Sequence, residues 1–430
     1  MTTLTRVPAV VLLAVATVGC SLLSSLQPPA EARSNAARAA ADPTAAQEAA
    51  TAVNGFGFDL YAALRAGQTD ANIVFSPSSI ALALSMARAG ARGTTADQMD
   101  TVMRALGADG LANGVNSLDQ ALNSRSGTYP DRYNSDSYPL TLTIANAPFA
   151  QRDERWEQSY LDALAQRFDA GVRLVDYKAN FEAARQQIND WVDQQTNARI
   201  PELLTPGTLD ALTRLVLVNA IYLKAPWLVP FNEDVTTSAP FIRLDGSTVQ
   251  AQMMAVSDSF AYAQGDGWQA VELPYVGNKL AMTLILPDNF AAYAAALDAS
   301  SFAQVTNSLV ESKGEVDLPR FDFETKADLA DLLAGLGMPL AFDPDRADFS
   351  GMTTQAKLYI TAVIHQANIS VDEKGTEAAA ATAVVMGDTS APVEKFQLTL
   401  DHPFLFALRD LETGAVLFLG QVVDPSTPAT

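Results

Sequence analysis

The stretch "VDEKGTEAAAATAVVMGDTSAP", residues 371–392, decides how this chain is read. It opens with Glu373, Lys374, Gly375, Thr376 and Glu377, continues through Ala378, Ala379, Ala380, Ala381 and Thr382, and ends in a polar segment closed by Pro392. Alanine is the best helix former, so local propensity reads the run as a short helix. The flanking residues argue the other way. Gly375 frees the backbone ahead of it, and Val384 and Val385 after it favour extended chain. The surrounding sequence has to arbitrate.

At 430 residues the chain has room for two or three average domains, or one large one with an N-terminal extension. Forty-eight per cent of its residues are hydrophobic and 18% charged, enough for a substantial buried core. The formal net charge of −21 disfavours nucleic acid and anionic membrane surfaces as partners.

Residues 1–20, "MTTLTRVPAVVLLAVATVGC", carry one arginine and an apolar run from Val7 to Val18. That run is shorter than the ~20 residues needed to span a bilayer and reads as a secretory signal. Cys20, the only cysteine, follows Gly19 in a pattern that resembles the lipobox of bacterial lipoproteins, with Thr17 where such boxes usually carry leucine. An ordinary signal cleaved near "AEARS" (30–34) is the alternative. The expected localisation is therefore secreted, or an outer-surface or periplasmic lipoprotein of a bacterium, touching membrane only through an N-terminal lipid. Residues 21–48, rich in Ala, Ser and Pro, read as a tether, and the fold is expected to occupy 49–426 as one domain.

Within that domain "AVNGFGFDLYAALRA" (52–66), "IALALSMARAGARG" (80–93) and "FEAARQQINDWVDQQT" (181–196) have helical periodicity, the last with Phe181, Ile188, Trp191 and Val192 on one side. Strand patterns dominate later, including "LVLVNAIYLKAPW", "LAMTLILPD", "GEVDLPRFDFE", "LYITAVIHQANISVDEKG", "FLFALRD" and "AVLFLGQVV". Helices first and strands last indicate an α+β fold.

Catalytic parts are scarce. There is no G-x-S-x-G elbow, H-E-x-x-H pair or P-loop, "GFGFDL" lacks the third glycine of a dinucleotide fingerprint, and His365 and His402 are the only histidines. Without a cysteine beyond Cys20, neither Cys–His catalysis nor a Cys/His zinc cluster can be assembled. The abundant acids leave a two-carboxylate hydrolase open on composition alone. No metal or cofactor is expected.

Several stretches together resemble the serpin family of protease inhibitors. "NIVFSPSSIALALSMARAGARGTTADQM" (72–99) is similar to that family's helix-B entry, "QINDWVDQQTNARIPELL" to helix F, "LVNAIYLKAPW" (217–227) to strand 3A, and "DHPFLFALRD" with "GAVLFLGQVVDP" to its C-terminal barrel strands. The resemblance covers residues 50 to 425 and implies a large mixed β-sheet A, sheets B and C, about eight or nine helices, and an exposed reactive-centre loop, here 373–395.

It also gives the opening stretch a role. Residues 373 to 382 resemble the hinge of a loop that slides into sheet A once cut. Strands lie only about 4.8 Å apart in a close-packed interior, so an inserting strand needs small inward side chains. On alternation Thr376, Ala378, Ala380, Thr382 and Val384 would face inward, and all are small or β-branched. Ser76, Ser79, Asn219 and His365 match the polar "shutter" beneath the opening strands, and Trp227, Arg320 and Glu373 the "breach" at the top.

The resemblance further implies a suicide substrate and not an enzyme: a target serine protease forms a covalent acyl complex with a monomeric inhibitor and is trapped as the arm inserts. The hinge count places the scissile bond at Thr389-Ser390; the loop is somewhat longer than in familiar members, which leaves Val385-Met386, Met386-Gly387 and Asp388-Thr389 open. No Lys or Arg lies between Glu377 and Pro392, so elastase-like or subtilisin-like proteases fit better than trypsin-like ones, and a cysteine protease stays open. Residues 98–123 lack a basic cluster for heparin. The alternatives are a non-inhibitory carrier or chaperone with the serpin fold, and a surface lipoprotein that binds a ligand.

Overall fold

A computed structural model describes residues 29–105, 107–132, 135–377 and 396–426. From the N-terminus come β1 (Ala30–Ala32), α1 (Pro43–Ala66), β2 (Ile73–Phe75), α2 (Pro77–Gly90), α3 (Gly93–Val102), α4 (Gly107–Asn123), β3 (Gly127–Pro130) and β4 (Ser137–Gln151). Then follow α5 (Gln158–Phe168), β5 (Val172–Val175), α6 (Tyr177–Gln195), β6 (Leu215–Pro226), β7 (Thr237–Ile242), β8 (Thr248–Gly265), β9 (Trp268–Pro274) and β10 (Leu280–Pro287). The rest is α7 (Phe290–Ala296), α8 (Ala299–Ser308), β11 (Val310–Pro319), β12 (Phe321–Asp328), α9 (Ala330–Leu336), β13 (Ala362–Asp372), β14 (Gly375–Thr376), β15 (Phe396–Thr399), β16 (Phe404–Asp410) and β17 (Val416–Val422).

Helix starts follow local chemistry. The Asp42 carboxylate accepts from the Thr44 amide at 2.9 Å with Pro43 in the first turn, and Ser76 Oγ accepts from the Ser79 amide at 3.2 Å ahead of α2. Asn180 leaves helical geometry (φ −155°, ψ 71°) inside α6. Past that break Ile188, Trp191 and Val192 are buried as the periodicity predicts, whereas Phe181, next to the break, is 41% exposed.

Two sheets carry the fold. The first runs β1-β5-β4-β6-β14-β13-β12, with β3 paired to β4. The second runs β15-β11-β8-β9-β10-β16-β17-β2, with β7 paired to β8. The expected sheets B and C are thus one hydrogen-bonded network, because the 18-residue β8 pairs with β7 at its start and β9 at its end. "GEVDLPRFDFE" is two strands: Arg320 alone separates β11 in the second sheet, which ends at Pro319, from β12 in the first.

Strand β6 is apolar on both faces. Leu215, Leu217, Ile221 and Leu223 join the main core, while Val216, Val218 and Ala220 meet α6 through Ile188, Trp191 and Val192. Trp191 packs edge-on against Phe149 at 5.4 Å, which fixes α6 over the first sheet.

The tether reading of 21–48 does not hold over its described part. β1 adds to the edge of β5, Ala39 N donates to Gln166 O, Arg38 pairs with Asp119 at 2.5 Å, and α1 already begins at Pro43. These contacts use backbone edges and ion pairs, so they leave no apolar periodicity to find.

Candidate functional site

The hinge begins where β13 ends. Asp372 Oδ1 accepts from the amides of Lys374 (2.8 Å) and Gly375 (3.1 Å), and this Asx turn reverses the chain. Gly375 has φ +154°, and a Cβ there would lie 2.2 Å from the Ala225 carbonyl oxygen, so only glycine fits. Gly375 and Thr376 then form β14, antiparallel to Pro226 and Ala225 on one side and to Asp372 and Val371 on the other. Thr376 is 3% exposed and shares a 2.6 Å hydrogen bond with the Tyr275 hydroxyl.

Lower down β6 and β13 pair directly and in parallel, from Ala362↔Val216 to Gln366↔Ala220. Between the two zones, residues 221–224 and 367–370 have no strand partner on their facing sides among the described residues. The sheet is a wedge, closed below and parted above by two hinge residues.

Glu377 covers this opening. Its amide donates to Ser370 O (3.0 Å), its φ is +51°, and its carboxylate pairs with Arg199 Nε at 2.7 Å on the segment after α6. Burial raises the Glu377 carboxyl above its ordinary value despite Arg199 and Tyr222. The Arg199 carbonyl accepts from Asn368 Nδ2 on β13 (3.2 Å), so the same segment holds both the hinge and the strand it must part from. Asn368, Ile369 and Ser370 lie within β13, as the strand pattern of "LYITAVIHQANISVDEKG" has it.

Above the wedge, Trp227 Nε1 donates to Asp372 O (2.9 Å), its amide donates to Lys374 O (2.9 Å), and its ring stacks on Tyr275 at 4.5 Å. The buried Glu373 carboxylate accepts from Arg320 Nε (2.8 Å), from Arg320 Nη2 (2.5 Å) and from Thr236 Oγ1. Burial works against the charge of Glu373, but Arg320 and Thr236 outweigh it and hold the carboxyl below its ordinary range. Trp227, Arg320 and Glu373, expected together, are brought together.

Beneath the sheet, Ser76, Ser79, Asn219 and His365 form one buried network. The Ser76 amide can only donate, so His365 Nε2 (3.1 Å) is the acceptor and Nδ1 carries the proton that goes to Asn219 Oδ1 at 2.5 Å. Asn219 Nδ2 donates to Ser79 Oγ (2.5 Å) and to Asn146 Oδ1 (2.6 Å). Residues on α2, β4, β6 and β13 are thereby tied across the line along which the sheet would part.

Burial pushes the His365 pKa from 6.5 down to about 3. A depressed histidine favours folding above the unfolded-state value and loses that contribution as pH falls through 6.5 toward 3. At pH 5 the loss is about 2 kcal/mol. His365→Gln keeps an acceptor and a donor without titrating, so its stability should fall less between pH 7 and pH 5 than the wild type's in paired urea titrations. Identical pH slopes would exclude His365 as the source.

The hinge positions Ala378, Ala379, Ala380, Ala381 and Thr382, the bond candidates Val385, Met386, Gly387, Asp388, Thr389 and Ser390, and Cys20 lie outside the described residues. Sequence reasoning missed Asn146, Tyr275, Thr236, Arg199 and Tyr222. Asn146, a lone amide inside "LTLTIANAPFA", carried a readable signal; Arg199 carried none, lying far from Glu377 in sequence.

The family model for Serpin (serine protease inhibitor) matches residues 51–425. An uncharacterized serpin-like protein of Thermococcus kodakarensis is 38% identical over 380 residues, covering 87% of this chain and 85% of its own. Leukocyte elastase inhibitor of Xenopus laevis is 33% identical (86% and 97% covered), and plasminogen activator inhibitor 1 of Sus scrofa 34% (88% and 92%). Among solved structures, uncleaved ovalbumin superimposes with a TM-score of 0.78 at 26% identity (87% and 99% covered), and the thyroxine-binding globulin complex with thyroxine with 0.77 at 26% (88% and 100%). With the family matched over nearly all of the described chain and a parted sheet holding the start of its own loop, this chain belongs to the serpin family.

Proposed function

We propose that this protein is a suicide-substrate inhibitor of a serine protease. The observation that carries the reading is the wedge: β6 and β13 are joined below, parted above by Gly375 and Thr376, and without a strand partner between these zones among the described residues. Insertion of residues beyond 376 would exchange a five-residue parallel ladder for two antiparallel ones, and antiparallel pairing is the more stable per residue. The chain supplies an ester-forming bond and a strand, not a catalyst. Two relatives are named as inhibitors, of leukocyte elastase and of plasminogen activator, which supports the reading.

The proposed target is elastase-like or subtilisin-like, with Thr389-Ser390 as the first candidate bond, and the protein acts as a secreted or lipid-anchored monomer. Incubation with such a protease should give an SDS-resistant complex, and mass spectrometry of the released fragment identifies the bond. Quantitative cleavage without complex would instead favour a carrier, the reading suggested by the thyroxine-bound structural neighbour.

A further inference from the structure

The N-terminal segment joins two parts of the molecule that separate if the first sheet opens. At one end β1 adds antiparallel to the edge strand β5, from Ala30↔Leu174 to Ala32↔Val172, and so belongs to the sheet. At the other end the segment is fastened to helices. Arg38 donates to Asn116 Oδ1 (3.0 Å) and pairs with the buried Asp119 on α4. The Ala39 carbonyl accepts from Asn116 Nδ2 (3.2 Å) and Gln120 Nε2 (3.1 Å), and the Ala39 amide donates to Gln166 O on α5 (2.8 Å). The Asp42 amide donates to Ser117 Oγ at 3.0 Å.

Those helices are held by the second sheet. α4 packs on α1, and α1 on β17. Just past α4, Arg125 makes a buried two-point pair with Asp410 on β16, Nε to Oδ2 at 2.5 Å and Nη2 to Oδ1 at 3.2 Å. The Tyr160 hydroxyl joins α5 to Met86 O on α2 (3.2 Å). The far side of the wedge is fixed to the same body. The Val74 amide on β2 donates to Thr325 Oγ1 on β12 (3.0 Å), β2 pairs with β17, and one residue separates β12 from β11. Room for a full-length strand between β6 and β13 therefore comes from carrying β6, β4, β5 and β1 outward together, by about one strand spacing of ~4.8 Å.

We propose that residues 30–42 are a strap that holds the outer edge of the first sheet against α4 and α5 and so resists the parting of β6 from β13. Hydrogen bonds near 3 Å do not survive a displacement of that size, so the sheet opens to full width only after the strap lets go of β5 or of the helices. The Arg38–Asp119 bond is charge-assisted, and its carboxylate is 7% exposed, so solvent screens it little. The consequence for inhibition rests on the suicide-substrate reading above: the strap sets how fast the cut loop inserts.

Hydrogen exchange of the full, uncut chain tests the strap without a protease. In Arg38→Gln/Asp119→Asn, which removes the ion pair and leaves neither charge behind, the amides of the β6–β13 ladder (216–220 and 362–366) should exchange about tenfold faster than in the wild type, while those of β10 and β16 keep their wild-type rates. Ala39→Pro, which removes the amide bond to Gln166, should move the same ladder in the same direction and decides the matter should the double variant fail to fold. A ladder whose protection is unchanged, or that loses it only in step with β10 and β16, overturns the strap. After loop cleavage the variants should reach the higher-melting form about tenfold faster than the wild type, and an unchanged rate in a chain that does insert overturns the strap as well. If the cut wild type gains no stability, the inhibitor reading fails, and the exchange rates still decide the strap.

Discussion

Cutting the loop between Val385 and Ser390 is expected to raise the melting temperature by about 10 °C or more, the shift that a net gain of order 5–10 kcal/mol gives a chain of this size. Backbone terms alone do not supply it. Roughly a dozen residues gaining ladder bonds contribute on the order of 10–20 kcal/mol at ~1 kcal/mol each, and ordering them costs a similar sum at about 1–2 kcal/mol each. The difference lies in the receiving sheet. Residues 221–224 and 367–370 face each other without strand partners among the described residues, and an arriving strand would satisfy both edges at once. On the proposed reading, attachment of the intact loop to β14 and β15 would keep it from inserting to full depth and hold the uncut protein in the higher state behind a kinetic barrier. Calorimetry of intact and nicked protein checks this. A nicked form that melts at or below the intact one removes the basis for inhibition.

Thr376→Arg is expected to convert the protein from inhibitor to substrate. Thr376 is 3% exposed between Ala225 and Val371, with its hydroxyl on Tyr275. A guanidinium there would have to be buried with no carboxylate in place, at a cost of several kcal/mol, or the hinge would have to withdraw and start insertion from outside the sheet. Either course delays insertion while hydrolysis of the acyl-enzyme continues. The yield of SDS-resistant complex should drop about tenfold or more, with the loop still fully cleaved. The variant's own melting temperature should fall as well, because either course buries an unpaired charge or gives up the buried contact of Thr376 with Tyr275. Undiminished complex yield would show that position 376 is not the entry point.

Much of this site was legible in the sequence because the family's residues lie in compact motifs. Ser76 and Ser79 sit in "SPSS" as a helix cap would, Asn219 interrupts an otherwise apolar strand, and Glu373 to Glu377 read as one hinge. Apart from Asn146, the partners that complete each cluster were not legible. Tyr275, Thr236 and Arg199 come from turns and connectors whose local sequence has no periodicity, and they meet the hinge only because β6, β13 and the segment after α6 converge there. Glu377 shows the limit most clearly. Strand alternation places it on the face away from Thr376, but nothing local says that this face is roofed by Arg199 and Tyr222.

The N-terminal segment makes the same point from the other side. Its Ala, Ser and Pro content suited a tether, yet Ala30–Ala32 extends a sheet and Arg33 and Arg38 find acids on other elements. Edge pairing uses backbone groups that every residue carries, so composition cannot reveal it.

By itself, then, the chain's order of residues determined the α+β class, the helix caps, the doubly apolar central strand and a hinge free of bulk, since each depends on side-chain size and polarity at short spacing. Only the tertiary structure decided that the hinge already lies between β6 and β13, that Glu377 is pinned by Arg199, and that residues 221–224 and 367–370 have no strand partner on their facing sides among the described residues, because these follow from which distant backbones end up as neighbours.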